Sequence, residues 1–447
     1  MTNFDRQRLL VAVRRLQENS LGRPDVEWAN ATIYPIAFRH RWPAGDNGLA
    51  TALRAAPADA HAAVYVHIPF CNRRCRYCVY MSVRGESTRQ LEFCKAVARE
   101  LNTISGHLDT PREIRKLYFG GGTPTALEPS IMEEVFDAVG ERFTLSPDAG
   151  WTVETSPQRV SAQMLTMMKR RGVNIICMGI QSLDDGVLSA AGRAHDSATA
   201  KDAVEAILGA GFDLLNVDLM VGLPGQTEAS VRRTVQQAVS LAIPEFSVYY
   251  LRCGPEGGMH KQPHSFREEI LQFAAAVETF AEAGYVRVRP HHFVHPDKVG
   301  LWRRYRSVAT PEEGVGDESI LALGLGPSAF GRVGNLFYGN SGRLADYEGR
   351  VEAAQLPVSS EYRLGDEDHR TRFLIGRLGQ KGALELGPFQ ERFGEVPQHL
   401  AKALALFETC GLVARDGTGW SVTESGTLFY DCFERACYPD RWREELW

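Results

Sequence analysis

The stretch Val64–Tyr80 constrains this chain more than any other: Val-Tyr-Val-His-Ile-Pro-Phe-Cys-Asn-Arg-Arg-Cys-Arg-Tyr-Cys-Val-Tyr. It opens as an alternating apolar strand, and Pro69 ends that strand because proline has no N–H to give to a ladder. Three cysteines follow, Cys71, Cys75 and Cys78, spaced C-x-x-x-C-x-x-C on what must be a loop. Thiolate is the soft ligand that zinc and iron–sulfur clusters select. Zinc loops come as pairs of C-x-x-C or as Cys/His pairs at set spacings, which this run matches poorly. Three close thiolates hold three irons of one cubane cluster and leave the fourth iron open to another ligand.

The rest of the chain has room for such a site. A length of 447 residues allows two or three domains with a large core. The formal net charge of −5 argues against a nucleic-acid partner, since phosphate binding needs a basic surface. Nine cysteines, an odd number in so long a chain, do not read as a secreted disulfide framework. The N-terminal region scatters Arg6, Arg8, Arg14 and Arg15 around the short apolar run Leu9–Val13, which is neither a signal peptide nor a spanning helix. The expectation is a cytoplasmic protein with no membrane partner.

Residues 4–19 place Leu9, Leu10, Val13 and Leu16 at helical spacing, a helix packed on its domain. An aromatic, irregular stretch from Trp28 to Trp42 and an Ala/Pro-rich linker, Ala56–Ala63, complete an N-terminal extension, 1–60. From Val64 the pattern becomes strand, loop, helix, repeated, the mark of a parallel sheet with crossover helices. Strands are expected at Val64–Ile68, Arg115–Phe119, Trp151–Glu154, Asn174–Gly179, Leu214–Met220 and Glu245–Leu251, with helices near 88–105, 129–141, 161–171, 197–210 and 228–242. The fold class is α/β: six units make an open, partial (β/α)6 barrel over 61–343, where a closed one needs eight. Beyond Leu344 the chain turns charged and helical. Helices at Asp366–Leu378, Pro388–Phe393 and Gln398–Cys410, and a hairpin around Asp416-Gly-Thr-Gly, give 344–447 as a small winged-helix-like domain.

Reactive groups in such barrels follow the carboxyl ends of strands. After the second strand stands Gly120-Gly-Gly-Thr-Pro-Thr, whose glycines let backbone amides approach a ligand. Glu154, Gln181, Arg193 and Asp218 then fall near successive strand ends. Each is costly in an apolar barrel unless partnered, and a zwitterionic ligand with ribose hydroxyls would partner all four.

The cysteine spacing, with His67-Ile-Pro-Phe before it and Tyr77 before the last cysteine, resembles the radical S-adenosylmethionine (SAM) superfamily. More narrowly it resembles the branch typified by oxygen-independent coproporphyrinogen III oxidase, and Thr32-Ile-Tyr-Pro-Ile-Ala resembles a segment that precedes the barrel there. The resemblance implies a [4Fe-4S] cluster on Cys71, Cys75 and Cys78, with the amino and carboxylate groups of SAM on the open iron. It also implies that Tyr77, Gly121, Gly122 and Thr123 bind SAM together with Glu154, Gln181, Arg193 and Asp218.

The chain departs from the coproporphyrinogen oxidases after Cys78, where Val79-Tyr80 replaces a further cysteine. It then looks most like the class C radical SAM methyltransferases and related cyclopropane-forming enzymes. They are thought to bind two SAM molecules, one cleaved to a 5′-deoxyadenosyl radical that takes hydrogen from the methyl group of the other. By that resemblance the second SAM meets Tyr65, which also serves in catalysis, with Gly122, Thr123, Arg252 and Phe330. The expected activity is transfer of a SAM-derived carbon to an sp² carbon of a small biosynthetic intermediate, driven by a flavodoxin- or ferredoxin-type donor. Two alternatives stand beside it: a haem-trafficking protein using His291, His292 and His295, and anaerobic porphyrin or haem chemistry. Cys94, Cys177, Cys253, Cys410, Cys432 and Cys437 read as packing, and Tyr430, Asp431 and Phe433 as residues within reach of the substrate.

Overall fold

The computed structural model describes residues 3–22, 42, 44–45, 47–253, 259, 263–306, 320–439 and 441. The aromatic stretch between residues 28 and 41, with Thr32–Ala37, lies outside them. α1 (Arg6–Glu18) starts at Asp5, whose carboxylate accepts from the Gln7 and Arg8 amides. It buries Leu9, Ala12, Val13 and Leu16, close to the expected stripe. A short α2 (Gly48–Arg54) precedes the barrel.

All six expected strands form, most of them longer than the periodicity suggested. They are β1 (Ala62–Ile68), β2 (Glu113–Gly121), β3 (Thr144–Thr155), β4 (Ile175–Gln181), β5 (Leu214–Val221) and β6 (Glu245–Tyr250), parallel and in chain order across the sheet. The expected linker 56–63 is shortened because Ala62 and Ala63 already pair with β2. The crossovers carry α3 (Ser87–Ser105), α4 (Pro129–Gly140), α5 (Ala162–Arg171), α6 (Asp185–Ala190), α7 (Ser197–Gly209) and α8 (Glu228–Val239). Their ends are set locally: the Ser161 hydroxyl accepts from the Met164 amide at the start of α5, and Gly172, at φ +96°, closes it.

The sheet does not stop at six strands. After α9 (Phe266–Glu282), a hairpin of β7 (Val286–Arg289) and β8 (His292–Val294) extends the β6 edge, followed by α10 (Val299–Tyr305). β9 (Leu321–Leu325) returns to the opposite side and pairs parallel with β1, so all seven residues of β1 are buried between neighbours. The antiparallel strands β10 (Phe330–Val333), β11 (Leu336–Asn340) and β12 (Val358–Arg363) complete a 12-stranded sheet, with α11 (Leu344–Glu352) between the last two. The sheet therefore runs past the boundary expected at 343. β12 was illegible because its residues are mostly polar and partly exposed, as an edge strand permits.

The tail follows the expected order with two differences. α12 (Asp366–Leu374) passes into a π-helical turn at Ile375–Gln380 instead of running as one helix to Leu378. Around α13 (Leu386–Phe393) and α14 (Gln398–Thr409), the hairpin of β14 (Val413–Arg415) and β15 (Gly419–Val422) gains a third strand, β13 (Ala383–Glu385). α15 (Tyr430–Cys437) brings this domain onto the barrel: the Tyr250 hydroxyl donates to the Leu428 carbonyl at 2.7 Å, and Asp431 pairs with Arg252.

Candidate active site at the carboxyl ends of the strands

The cysteine loop is closed at its base. Phe70 pairs with Val83, the Cys71 amide donates to the Val83 carbonyl at 3.0 Å, and the Val83 amide to Pro69 at 2.7 Å. Between these points Cys71, Cys75 and Cys78 are half-buried and form no disulfide. The triglycine after β2 is fastened to the same strand: the Gly122 amide donates to Ile68 at 2.9 Å and the Thr123 amide to Phe70 at 2.8 Å. Gly121 has φ +110°, and a Cβ there would stand 2.8 Å from the His67 ring; a Cβ on Gly122 would stand 2.6 Å from the Phe70 carbonyl. Glycine is required at both positions. The Thr123 hydroxyl reaches the Cys71 sulfur at 3.8 Å.

Of the four polar strand-end residues, Glu154 and Arg193 reach this loop directly. Glu154 accepts from the Tyr118 hydroxyl at 2.6 Å and from the Gly121 amide at 3.2 Å. Arg193 donates to the Cys75 sulfur at 3.2 Å, to the Tyr77 hydroxyl at 3.3 Å and to the Gly179 carbonyl. Asp218 accepts from Asn216 at 2.7 Å and from the Cys177 thiol at 3.5 Å, and burial pushes its carboxyl up to about 6. Gln181 sits at φ +74°, a strained conformation for a residue with a side chain. Its Oε1 and the Nε of Arg193 are buried without a hydrogen-bond partner. Buried orphans of this kind are rare, and an acceptor and a donor beside three thiolates fit a zwitterion bound at a cluster.

The second expected set is assembled only in part. Tyr65 is buried, with its hydroxyl 3.1 Å from His67 Nδ1. In the β1–β9 register Tyr65 faces Gly324, and a Cβ on Gly324 would run into the Phe330 backbone, while the Phe330 ring stacks on Phe337 at 6.0 Å. Arg252 is paired with Asp431 of α15, and its guanidinium also lies 5.1 Å over the Tyr250 ring. Tyr430 stacks on His291 at 5.4 Å, whereas Phe433 packs on Phe407 at 4.3 Å, facing into the tail core.

Of the three histidines, His291 and His292 stay together, their ring centroids 4.5 Å apart, and His295 turns away. His291 lies between Tyr249 and Tyr430; His292 is buried beside Glu245; His295 turns to Asp297. Burial opposes the Glu245 charge, but Arg306 and His292 hold its carboxyl down at about 2. Among the described residues no three His, Cys, Asp or Glu side chains converge on one point where a single metal ion would sit. Such convergence is not needed of the three cysteines, because a cubane gives each thiolate its own iron.

Sequence reasoning missed several lumen residues. Cys177 was read as packing, yet its sulfur also accepts from Asn216 at 3.0 Å, in the polar group around Asp218. Tyr118 and Tyr249 were not singled out either. The signal was present on β2, where Tyr118 shares its face with Gly120.

Comparison with known proteins agrees with this geometry. Residues 65–238 match the Radical SAM superfamily, and residues 364–429 match the HemN C-terminal domain. Oxygen-independent coproporphyrinogen III oxidase of Bradyrhizobium diazoefficiens is 29% identical over 401 residues, covering 86% of this chain and 88% of the relative. The enzyme of that name from Pseudomonas aeruginosa is 27% identical over 436 residues, 93% of this chain and 94% of the relative. The structure of coproporphyrinogen III oxidase (HemN) from Escherichia coli superposes with a TM-score of 0.80 at 22% identity, over 93% of this chain and 99% of that one, and shares the fold. Over residues 65–238 the chain matches the radical SAM superfamily, a family whose cofactors are a [4Fe-4S] cluster and SAM. The tail match and the relatives that span most of this chain are likewise to proteins of the HemN type. None of these matches singles out a methyltransferase. Among the described residues no helix is long and apolar enough to cross a membrane.

Proposed function

We propose that this chain is a radical SAM enzyme that oxidises a porphyrinogen or a closely related tetrapyrrole. The observation that carries the reading is correspondence from end to end: the coproporphyrinogen oxidases align over 86% and 93% of the chain, with barrel and tail domain in the same order. In this reading Cys71, Cys75 and Cys78 hold the cluster, which with SAM supplies a carbon radical able to take hydrogen from an unactivated carbon. Gln181 and Arg193 orient the amino-acid part of SAM, Glu154 holds the Gly121 amide in place beside it, and Asp218 receives a ribose hydroxyl. Tyr65 and Phe330 form the wall on which a second SAM would lie. On the substrate side Tyr249 lies against the buried His291, which lies against Tyr430, in tilted ring contacts, and Tyr249 and Tyr80 are the two large rings left exposed among the described residues. A flat, carboxylate-bearing ring system suits such a surface.

One observation favours a second reading. Val79-Tyr80 stands where the oxidases carry a cysteine, which keeps radical carbon transfer between two SAM molecules in play. One experiment separates the two. The reconstituted, reduced enzyme is given coproporphyrinogen III and SAM deuterated at the methyl group, without oxygen, and both product pools are examined by mass spectrometry. Carboxyl loss from the porphyrinogen with unlabelled 5′-deoxyadenosine supports tetrapyrrole oxidation. Deuterium in 5′-deoxyadenosine with the porphyrinogen unchanged refutes it in favour of carbon transfer.

A further inference from the structure

The outer side of the cysteine loop is basic. From His61 to Gly85 the chain holds no Asp or Glu, yet Arg73, Arg74, Arg76 and Arg84 fall in this span, in a chain whose net charge is −5. All four are exposed. Arg84 follows the Phe70–Val83 pairing that closes the loop, so it returns beside Cys71. Arg74 is held on the Cys78 carbonyl at 3.1 Å, and Arg76 on the Ala190 carbonyl at 3.3 Å. Among the described residues Arg73, Arg76 and Arg84 form no ion pair with a carboxylate. The fifth arginine of this neighbourhood, Arg193, faces inward to Cys75 and Tyr77.

An exposed charge run is usually only a solvated face. This one surrounds the three thiolates at the place where an electron must enter from outside, and its fixed sign is the reverse of the chain's. Opposite potentials steer association and set orientation more than they add affinity. We propose that the outer face of the Cys71–Arg84 loop is the docking surface for an acidic one-electron carrier protein of the flavodoxin or ferredoxin class. The inference rests on the reading of the cysteines as cluster ligands. Each encounter oxidises the carrier by one electron, which passes to the group held by the thiolates; no bond to the carrier forms and no proton moves between the two proteins.

The test uses the double variant Arg73→Glu/Arg84→Glu, two exposed side chains that hold neither cluster nor SAM. Binding of a bacterial flavodoxin to the reconstituted holoenzyme is measured by surface plasmon resonance at about 20 mM and about 300 mM salt, either side of strong screening. 5′-Deoxyadenosine formation driven by dithionite is measured in parallel. The expected result is a wild-type affinity that falls about tenfold or more with salt, a variant about tenfold weaker at low salt, and equal dithionite-driven formation. Equal affinity of wild type and variant would overturn the proposal, as would failure of the wild type to bind either flavodoxin or a ferredoxin at low salt. Absence of dithionite-driven formation in the wild type would instead overturn the cluster reading, while the binding data still decide the surface.

Discussion

Glu100 shows how a residue away from the strand ends controls the geometry there. It is fully buried in α3, the helix that begins just after the cysteine loop. Its carboxyl accepts from the Gly326 amide at 2.8 Å, Asn340 Nδ2 at 2.6 Å and the Tyr347 hydroxyl at 2.7 Å. Gly326, at φ +90°, is so close to β1 that a Cβ would stand 2.5 Å from the His67 carbonyl. Glu100 therefore ties the β9–β10 turn, which leads to Phe330, to α3. Burial outweighs the three hydrogen bonds and pushes the carboxyl from 4.5 up to about 7. The native value lies above the unfolded one, so this stability is complete below about pH 4.5 and is lost as pH rises through about 7. The whole shift corresponds to about 3 kcal/mol, of which about 1 kcal/mol disappears between about pH 6 and pH 8.

In Glu100→Gln the side-chain oxygen still accepts from Gly326 and Tyr347, but its NH2 meets the NH2 of Asn340. Asn340 then turns its amide, whose Oδ1 now has no partner, and gives up the 3.0 Å bond from Nδ2 to the Gly326 carbonyl. That exchange costs about 1 kcal/mol and does not depend on pH. Urea titrations of both proteins in the same cofactor state, at about pH 6 and pH 8, read the difference. The wild type is expected to be the more stable at the lower pH and to lose about 1 kcal/mol of that advantage at the higher. A gap that stays constant between the two values would refute the reasoning, because it would mean that Glu100 does not titrate in this window.

Three further outcomes are expected. Replacing any one of Cys71, Cys75 or Cys78 by Ser should abolish retention of four irons and the visible iron–sulfur absorbance, with the fold intact by circular dichroism; full iron content in all three variants would remove the cluster assignment. Gly121→Ala forces a Cβ into the His67 ring at a positive φ, and should cost about 1–3 kcal/mol or displace the loop, seen as weakened SAM binding by calorimetry. Arg252→Ala removes the ion pair to the largely buried Asp431 carboxylate and should destabilise by about 3 kcal/mol, while Arg252→Ala with Asp431→Ala should recover part of that loss; equal costs in the single and double variants would show that the pair does not fasten the tail domain.

The barrel was legible where burial acts on one strand at a time. β1 to β6 carry apolar runs bounded by turn residues, and the helices between them carry caps, so both signals lie within about a dozen residues. The cysteine loop, the triglycine and the four polar strand-end residues were legible for the same reason, being local anomalies on a regular background. β7 to β12 were not anticipated as one continuation of the sheet: they are short or partly polar, and their pairing with β1 and β6 depends on segments far along the chain. Cys177 is buried as expected, and its hydrogen bonds to Asn216 and Asp218 come from the neighbouring strand, which local sequence does not reveal.

By itself the sequence determined the α/β class, the order of the barrel units, the ligand loop and the residues at the strand ends, because each depends on residue chemistry and short-range periodicity. Only the tertiary structure decided that Arg193 turns to Cys75 and Tyr77, that Arg252 is taken by Asp431 from the tail, that His295 parts from the neighbouring His291 and His292, and that Glu100 fastens the Phe330 turn. The physical reason is the same in each case. A charged or hydrogen-bonding group in a low-dielectric interior takes the partner that packing brings within about 3 Å, and packing joins residues that the chain keeps far apart.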